Sequence, residues 1–199
     1  MLNERKVAVL IGDYFRSKML ASSKRYNIFN HQHDANERTL IIDLAISPFA
    51  TKGNRTSQQH RDDHDLFNAA SSHLDNIAND LLSISVFPAA NNEPGWSKAH
   101  NPNPMVGFAV EIENAKSKYF LGSLIAASIA GRWGLLIVPD SISTDNWINT
   151  VRRIVWKGDM SPVPSNVIII KWPAFESYII NSTGMANMRL QMHPRSGEH

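Results

Sequence analysis

The chain has no cysteine. That excludes disulfide bridges, thiolate zinc sites and a cysteine nucleophile, although it assigns no compartment. No run reaches the roughly 18 apolar residues that a membrane span requires. A Gly-rich phosphate loop, the serine elbow of α/β hydrolases and the helical His/Glu zinc motif are missing as well. Charge of one sign is nearly balanced. The 20 Lys and Arg against 18 Asp and Glu leave a net +2, with an isoelectric point near 8.9. Bulk attraction to a polyanion is therefore excluded, and any nucleic-acid contact needs a local patch. No internal repeat and no linker divides the chain. Its 199 residues suffice for one domain with a full core. Residues 1–180 are read as that domain and 181–199 as a polar tail. Basic residues at 5–6 precede an apolar run that is short and lacks a good cleavage site, so this start reads as a helix rather than a signal peptide. A cytoplasmic protein is expected.

What is present centres on residues 106–139. Val106 to Asn114 alternates strictly. Phe108, Val110 and Ile112 point one way, and Ala109, Glu111 and Glu113 the other. This is strand periodicity, and it sets two carboxylates on one strand face about 7 Å apart. An apolar helical run follows at 119–130, closed by Gly131, and Leu135 to Val138 reads as a buried strand ended by Pro139.

Elsewhere the pattern is mixed. Residues 7–26 fit an amphipathic helix through Leu10, Tyr14, Phe15 and Met19, although Gly12 weakens it. His31, His33 and Asp34 lie in a polar loop, where solvation explains them better than a metal does. Leu40, Ile41, Leu44 and Ala45 repeat like the face of a short helix over 37–46, stopped by Pro48. Residues 51–59 read as an exposed loop carrying Lys52 and Arg55. Asp62, Asp63 and Asp65 precede a helix with Leu66, Phe67, Leu74, Ile77, Leu81 and Leu82 on its apolar face; acids at a helix start suit the macrodipole. Residues 83–87 alternate and read as a strand, then 89–104 as a Pro-rich loop. Helix-cap candidates at 140–145 lead into a helix with Trp147, Ile148, Val151 and Ile154 on one side and Arg152, Arg153 and Lys157 on the other, ended by Gly158. Val167 to Ile170 is a further buried strand, with a short helix at 174–180. The expected class is α/β: a central mixed sheet flanked by helices on both faces.

Paired carboxylates on one strand face raise each other's pKa unless a cation intervenes. Three readings stand. The glutamates are a solvated strand end, a glycosidase-like acid/base pair, or ligands of a divalent metal that serves phosphoryl chemistry. Lys116 and Lys118, one turn beyond, could pair with them or contact a phosphate.

Val106-Gly-Phe-Ala-Val-Glu111-Ile-Glu113-Asn, followed by a polar turn, a helix and Gly134-Leu-Leu-Ile-Val-Pro139, resembles the active-site core of the PD-(D/E)XK nuclease superfamily. More narrowly it is similar to type II restriction endonucleases in which Glu replaces the usual motif lysine. The resemblance covers about residues 84–140 by motif, plus the helix and strand to about 170. It implies a restriction-endonuclease-like sheet and Mg2+-dependent hydrolysis of phosphodiester bonds in double-stranded DNA. Glu111 would be a metal ligand, and Glu113 would orient or activate water. The family also places an Asp on the preceding strand or turn. Between Leu81 and Val110 the one acid is Glu93, the candidate for that ligand. Lys118 or Lys116 would supply the missing cation. Arg152, Arg153, Lys52, Arg55, Arg189 and Arg195 are candidate DNA contacts. Cutting both strands implies a homodimer, with the first helix as a candidate interface. The alternative is a catalytically inactive DNA- or protein-binding module on the same fold.

Overall fold

The computed structural model describes residues 4–27, 41–47, 57–86, 106–113, 117–156 and 166–183. The chain runs α1 (Glu4–Ser17), β1 (Ala21–Asn27), β2 (Ile41–Ser47), α2 (Ser57–Leu82), β3 (Val106–Ile112), α3 (Ser117–Ala130), β4 (Gly131–Val138), α4 (Ile142–Trp156), β5 (Val167–Lys171) and α5 (Trp172–Thr183). The five strands form one sheet in chain order. β1, β2 and β3 make an antiparallel meander, and β3, β4 and β5 are parallel. α3 and α4 make the return journeys that parallel strands require. The α/β class and mixed sheet are as expected.

Both sheet faces are covered, which is why β3, β4 and β5 read as near-continuous apolar runs. On one face Phe108, Val110, Leu135 and Ile168 pack with Ile11 and Phe15 of α1, Leu74 and Leu81 of α2 and Phe175 of α5. Tyr14 and Phe15 are fully buried there, and Tyr14 meets Phe15 and Phe175 edge-on, at 5.1 and 5.8 Å between centroids. Val7, Ile11, Tyr14 and Phe15 of the first helix are thus taken up by the chain's own core, while Val9 stays 41 % exposed.

The other face belongs to α3 and α4. Ala126, Ala127 and Ala130 lie against Ala45 and Ala109, while Phe120 and Leu124 meet Leu136, Val138 and Ile148. Small residues let α3 lie close to the sheet. A Cβ on Gly134 would come within 3.0 Å of Ala127 and of Val167, so nothing larger than glycine fits there without movement. Asn166 fastens the end of α3. Its Nδ2 lies 2.9 Å from the carbonyl of Ser128 and 3.1 Å from that of Gly131, satisfying acceptors that a helix terminus leaves open. Asp75 of α2 joins the start of β4 through both oxygens, accepting from Arg132 Nε and Nη2 and from Trp133 Nε1 at 2.7–2.8 Å. Ser141 caps α4, its hydroxyl accepting from Thr144 N at 3.2 Å.

Four expectations are corrected. The first helix stops at Ser17, and β1 occupies 21–27 where helix was expected to 26. The stop is made by backbone geometry: Met19 N donates to Arg16 O and Leu20 N to Phe15 O, a double bond pattern that needs a left-handed residue, and Met19 takes it at φ 63°. Residues 41–47 are strand β2, not part of a helix; Leu44 and Ile46 face α1 and α2 while Ala45 faces α3, so both faces are apolar and the alternation is hidden. Residues 83–86 are a turn after α2, with one bond from Val86 N to Ile169 O at 2.8 Å, rather than a strand. Gly131 begins β4 instead of merely closing α3. Gly158 and residues 28–40, 48–56, 87–105 and 184–199 lie outside the described residues.

Met19 is 90 % exposed, so its side chain contributes little packing to offset its left-handed backbone. Met19→Gly is expected to raise unfolding free energy by about 0.5–1 kcal/mol in urea titration, because glycine removes the steric penalty at this position.

Candidate acidic site at the edge of the sheet

β3 delivers Glu111 and Glu113 with the parity of Ala109, on the face covered by α3. The register of β2 against β3 pairs Leu44 with Val110, which sets Asp43 opposite Glu111 on that same face. Here the backbone ladder gives way to a side chain. Asp43 Oδ2 accepts from the N–H of Ile112 at 2.8 Å, across 69 positions of sequence. The Glu111 carboxyl group lies close enough to Asp43 for the two to interact directly. Glu113 follows directly. Its N–H donates to Ile137 O at 2.9 Å, extending the β3–β4 ladder, and its Oε2 accepts from Ser123 Oγ of α3 at 3.0 Å.

The two glutamates differ in environment. Glu111 is 8 % exposed, whereas Asp43 and Glu113 are half-buried. Burial pushes the Glu111 carboxyl up to about 9; the charge of Asp43, its hydrogen bond and then the charge of Glu113 push the same way. At neutral pH Glu111 is therefore protonated and donates to Asp43. Two carboxyl groups hold one proton between them. On the same sheet edge Lys171, at the end of β5, is bound to Asp140 and Asp145, each at 2.8 Å, and the hydrogen bond to Asp140 foremost raises its pKa. That cation is committed to its own acids.

Of the residues singled out in the sequence, Glu111 and Glu113 come together as expected. Lys118 lies in the first turn of α3, and Arg152 and Arg153 lie in α4; nothing is described of these three side chains. Glu93, Lys116, Lys52, Arg55, Arg189, Arg195 and the His31–His33–Asp34 group lie outside the described residues. Asp43 was missed. It is the lone acid inside the apolar run Ile41-Ile42-Asp43-Leu44-Ala45-Ile46, and a charge in a strand buried on both faces was the signal that could have found it. Among the described residues no three His, Cys, Asp or Glu side chains form a metal-binding group. No helix among them is long and apolar enough to cross a membrane. No family model, no curated protein and no solved structure matches the chain.

The raised Glu111 group has a consequence for stability. Below its ordinary value of 4.5 both folded and unfolded chains carry the proton. Between 4.5 and about 9 the folded chain keeps a proton that the unfolded chain has shed, so stability falls as pH rises through this window. Melting temperature in chelator is expected to decline across it, and Glu111→Gln is expected to flatten the decline. An equal decline in that variant would contradict the assignment.

Proposed function

We propose that Asp43, Glu111 and Glu113 form the active centre of a metal-dependent DNA endonuclease, similar to type II restriction enzymes of the PD-(D/E)XK superfamily with a Glu-x-Glu motif. The observation that carries this reading is Asp43 on β2 facing Glu111 on β3. The resemblance calls for an acid on the strand or turn before the Glu-x-Glu strand, and Asp43 meets that demand from within the sheet. Supporting it is the donor chemistry. Two hard oxygen ligands that must otherwise share a proton are the arrangement a divalent cation relieves. Mg2+ is held by one or two carboxylates together with water and substrate oxygens, so the pair fits it without a third side chain.

The residues that would hold the cation are Asp43 and Glu111, with the carbonyl of Ile112. When bound, the ion supplies Lewis acidity at a phosphoryl group and acidifies water. Burial of Glu111 excludes bulk water from one side of the pair and strengthens its interaction with any cation. Glu113, half-buried and anchored at its main chain and side chain, accepts the proton of the attacking water. Lys118 or Lys116, each following the Glu-x-Glu strand closely in sequence, is the proposed contact to the scissile phosphate. Arg152 and Arg153 on α4, with Lys52 and Arg55, are the proposed contacts to double-stranded DNA. Action on both strands implies a homodimer, and a restriction activity implies the cytoplasm.

A second reading keeps the frame without the catalysis, as a DNA- or protein-binding module. It is favoured by the absence, among the described residues, of a three-ligand metal group. Incubation with mixed-sequence duplex DNA and Mg2+ separates the two. The expected outcome is discrete fragments, abolished by EDTA and reduced at least about 100-fold by Asp43→Asn, Glu111→Gln or Glu113→Gln. Intact DNA at every Mg2+ or Mn2+ concentration, with a folded protein, selects the binding module.

A further inference from the structure

Serines in helices commonly return their hydroxyl to their own backbone. Ser17, Ser71, Ser83, Ser128 and Ser182 each donate to the carbonyl three residues back. Ser123 does otherwise. From the middle of α3 its hydroxyl donates to Glu113 Oε2, a carboxylate ten positions earlier in the chain. We propose that Ser123 is a positioning residue that fixes the carboxylate of Glu113 beside Asp43 and Glu111. The inference rests on the nuclease reading for its consequence in catalysis, but the positioning itself does not.

The geometry gives the reason. Glu113 lies one residue past the end of β3, where main-chain pairing to β4 still holds its N–H at Ile137. The backbone is fixed, yet the side chain has three rotatable bonds and is only partly buried. A carboxylate so placed is pushed outward by the one negative charge that the Asp43–Glu111 pair retains. The Ser123 hydroxyl opposes that drift with a donated hydrogen bond to an ionised acceptor, the stronger kind. α3 can present it because the helix lies tight on the sheet: Gly134 and Ala127 leave no gap between them. Ser123 and Ala127 are one helical turn apart, so the contact that seats the helix also sets the height of the hydroxyl.

The test uses the full chain and three variants: Ser123→Ala, Ser123→Thr and Glu113→Gln. In Mg2+-dependent DNA cleavage, Ser123→Ala is expected to lower kcat about 10-fold with KM and melting temperature unchanged. Ser123→Thr, which keeps the hydroxyl, is expected to restore most of the rate. An activity-independent readout is the carboxyl 13C resonance of Glu113, assigned by its loss in Glu113→Gln. It should shift and lose order in Ser123→Ala and remain near the native position in Ser123→Thr. An unchanged resonance in Ser123→Ala overturns the proposal, and so does a loss in melting temperature that Thr fails to restore. If the native protein cleaves nothing but the resonance behaves as stated, the positioning stands and the nuclease reading falls.

Discussion

Two acids face each other where the pairing of β2 with β3 ends, and much of the architecture exists around that contact. Asp43 and Glu111 sit where β2 and β3 would otherwise exchange backbone hydrogen bonds. Placing a carboxyl pair there costs desolvation and repulsion. The cost is limited locally by the proton shared between them and by the Ile112 N–H given to Asp43. It is met more broadly by a core that covers both faces. Asp75 locks α2 to β4, Asn166 closes α3 against β4 and β5, and the alanine face of α3 lies on β2 and β3. Strands packed on both faces, as β2 and β3 are, can hold an unfavourable pair in place, whereas a loop would let it separate.

The half of the chain from β3 onward was legible in the sequence because each element carries its own boundary marker. Strict alternation names β3, Pro139 follows β4, Ser141 caps α4, and the Val-Ile-Ile-Ile run names β5. The first third was not. Helix α1 ends on Met19 in a conformation that glycine usually signals, so nothing in the residue types announces the stop. β2 is apolar on both faces, and its Ile-Ile-x-Leu-Ala spacing satisfies a helix as well as a strand. Reading β2 as a helix hid Asp43, because the long helix α2 separates it in sequence from the Glu-x-Glu strand that it faces. In the segment just before β3 the one acid is Glu93, which therefore stands in the sequence as the nearer candidate. Glu111 and Glu113 were visible from local alternation alone. The acid opposite Glu111 depends on a strand pairing that sequence spacing does not encode.

The two glutamates also divide in a way that residue identity could not tell. Glu111 is buried, protonated and shared with Asp43; Glu113 is half-buried and accepts from a hydroxyl. The first environment suits a group that gives up a proton to take a cation. The second suits a group that stays ionised. One strand therefore carries two carboxylates of unlike character, set by their depth in the layer between sheet and α3.

The central claim is that the Asp43–Glu111 pair is a cation site. Calorimetric titration of the native chain with Mn2+ at pH 7, in two buffers of different ionisation enthalpy, tests it most directly. The account predicts one ion bound per chain with release of about one proton, and loss of both in Asp43→Asn. Absence of binding, or binding that Asp43→Asn leaves intact, would contradict it.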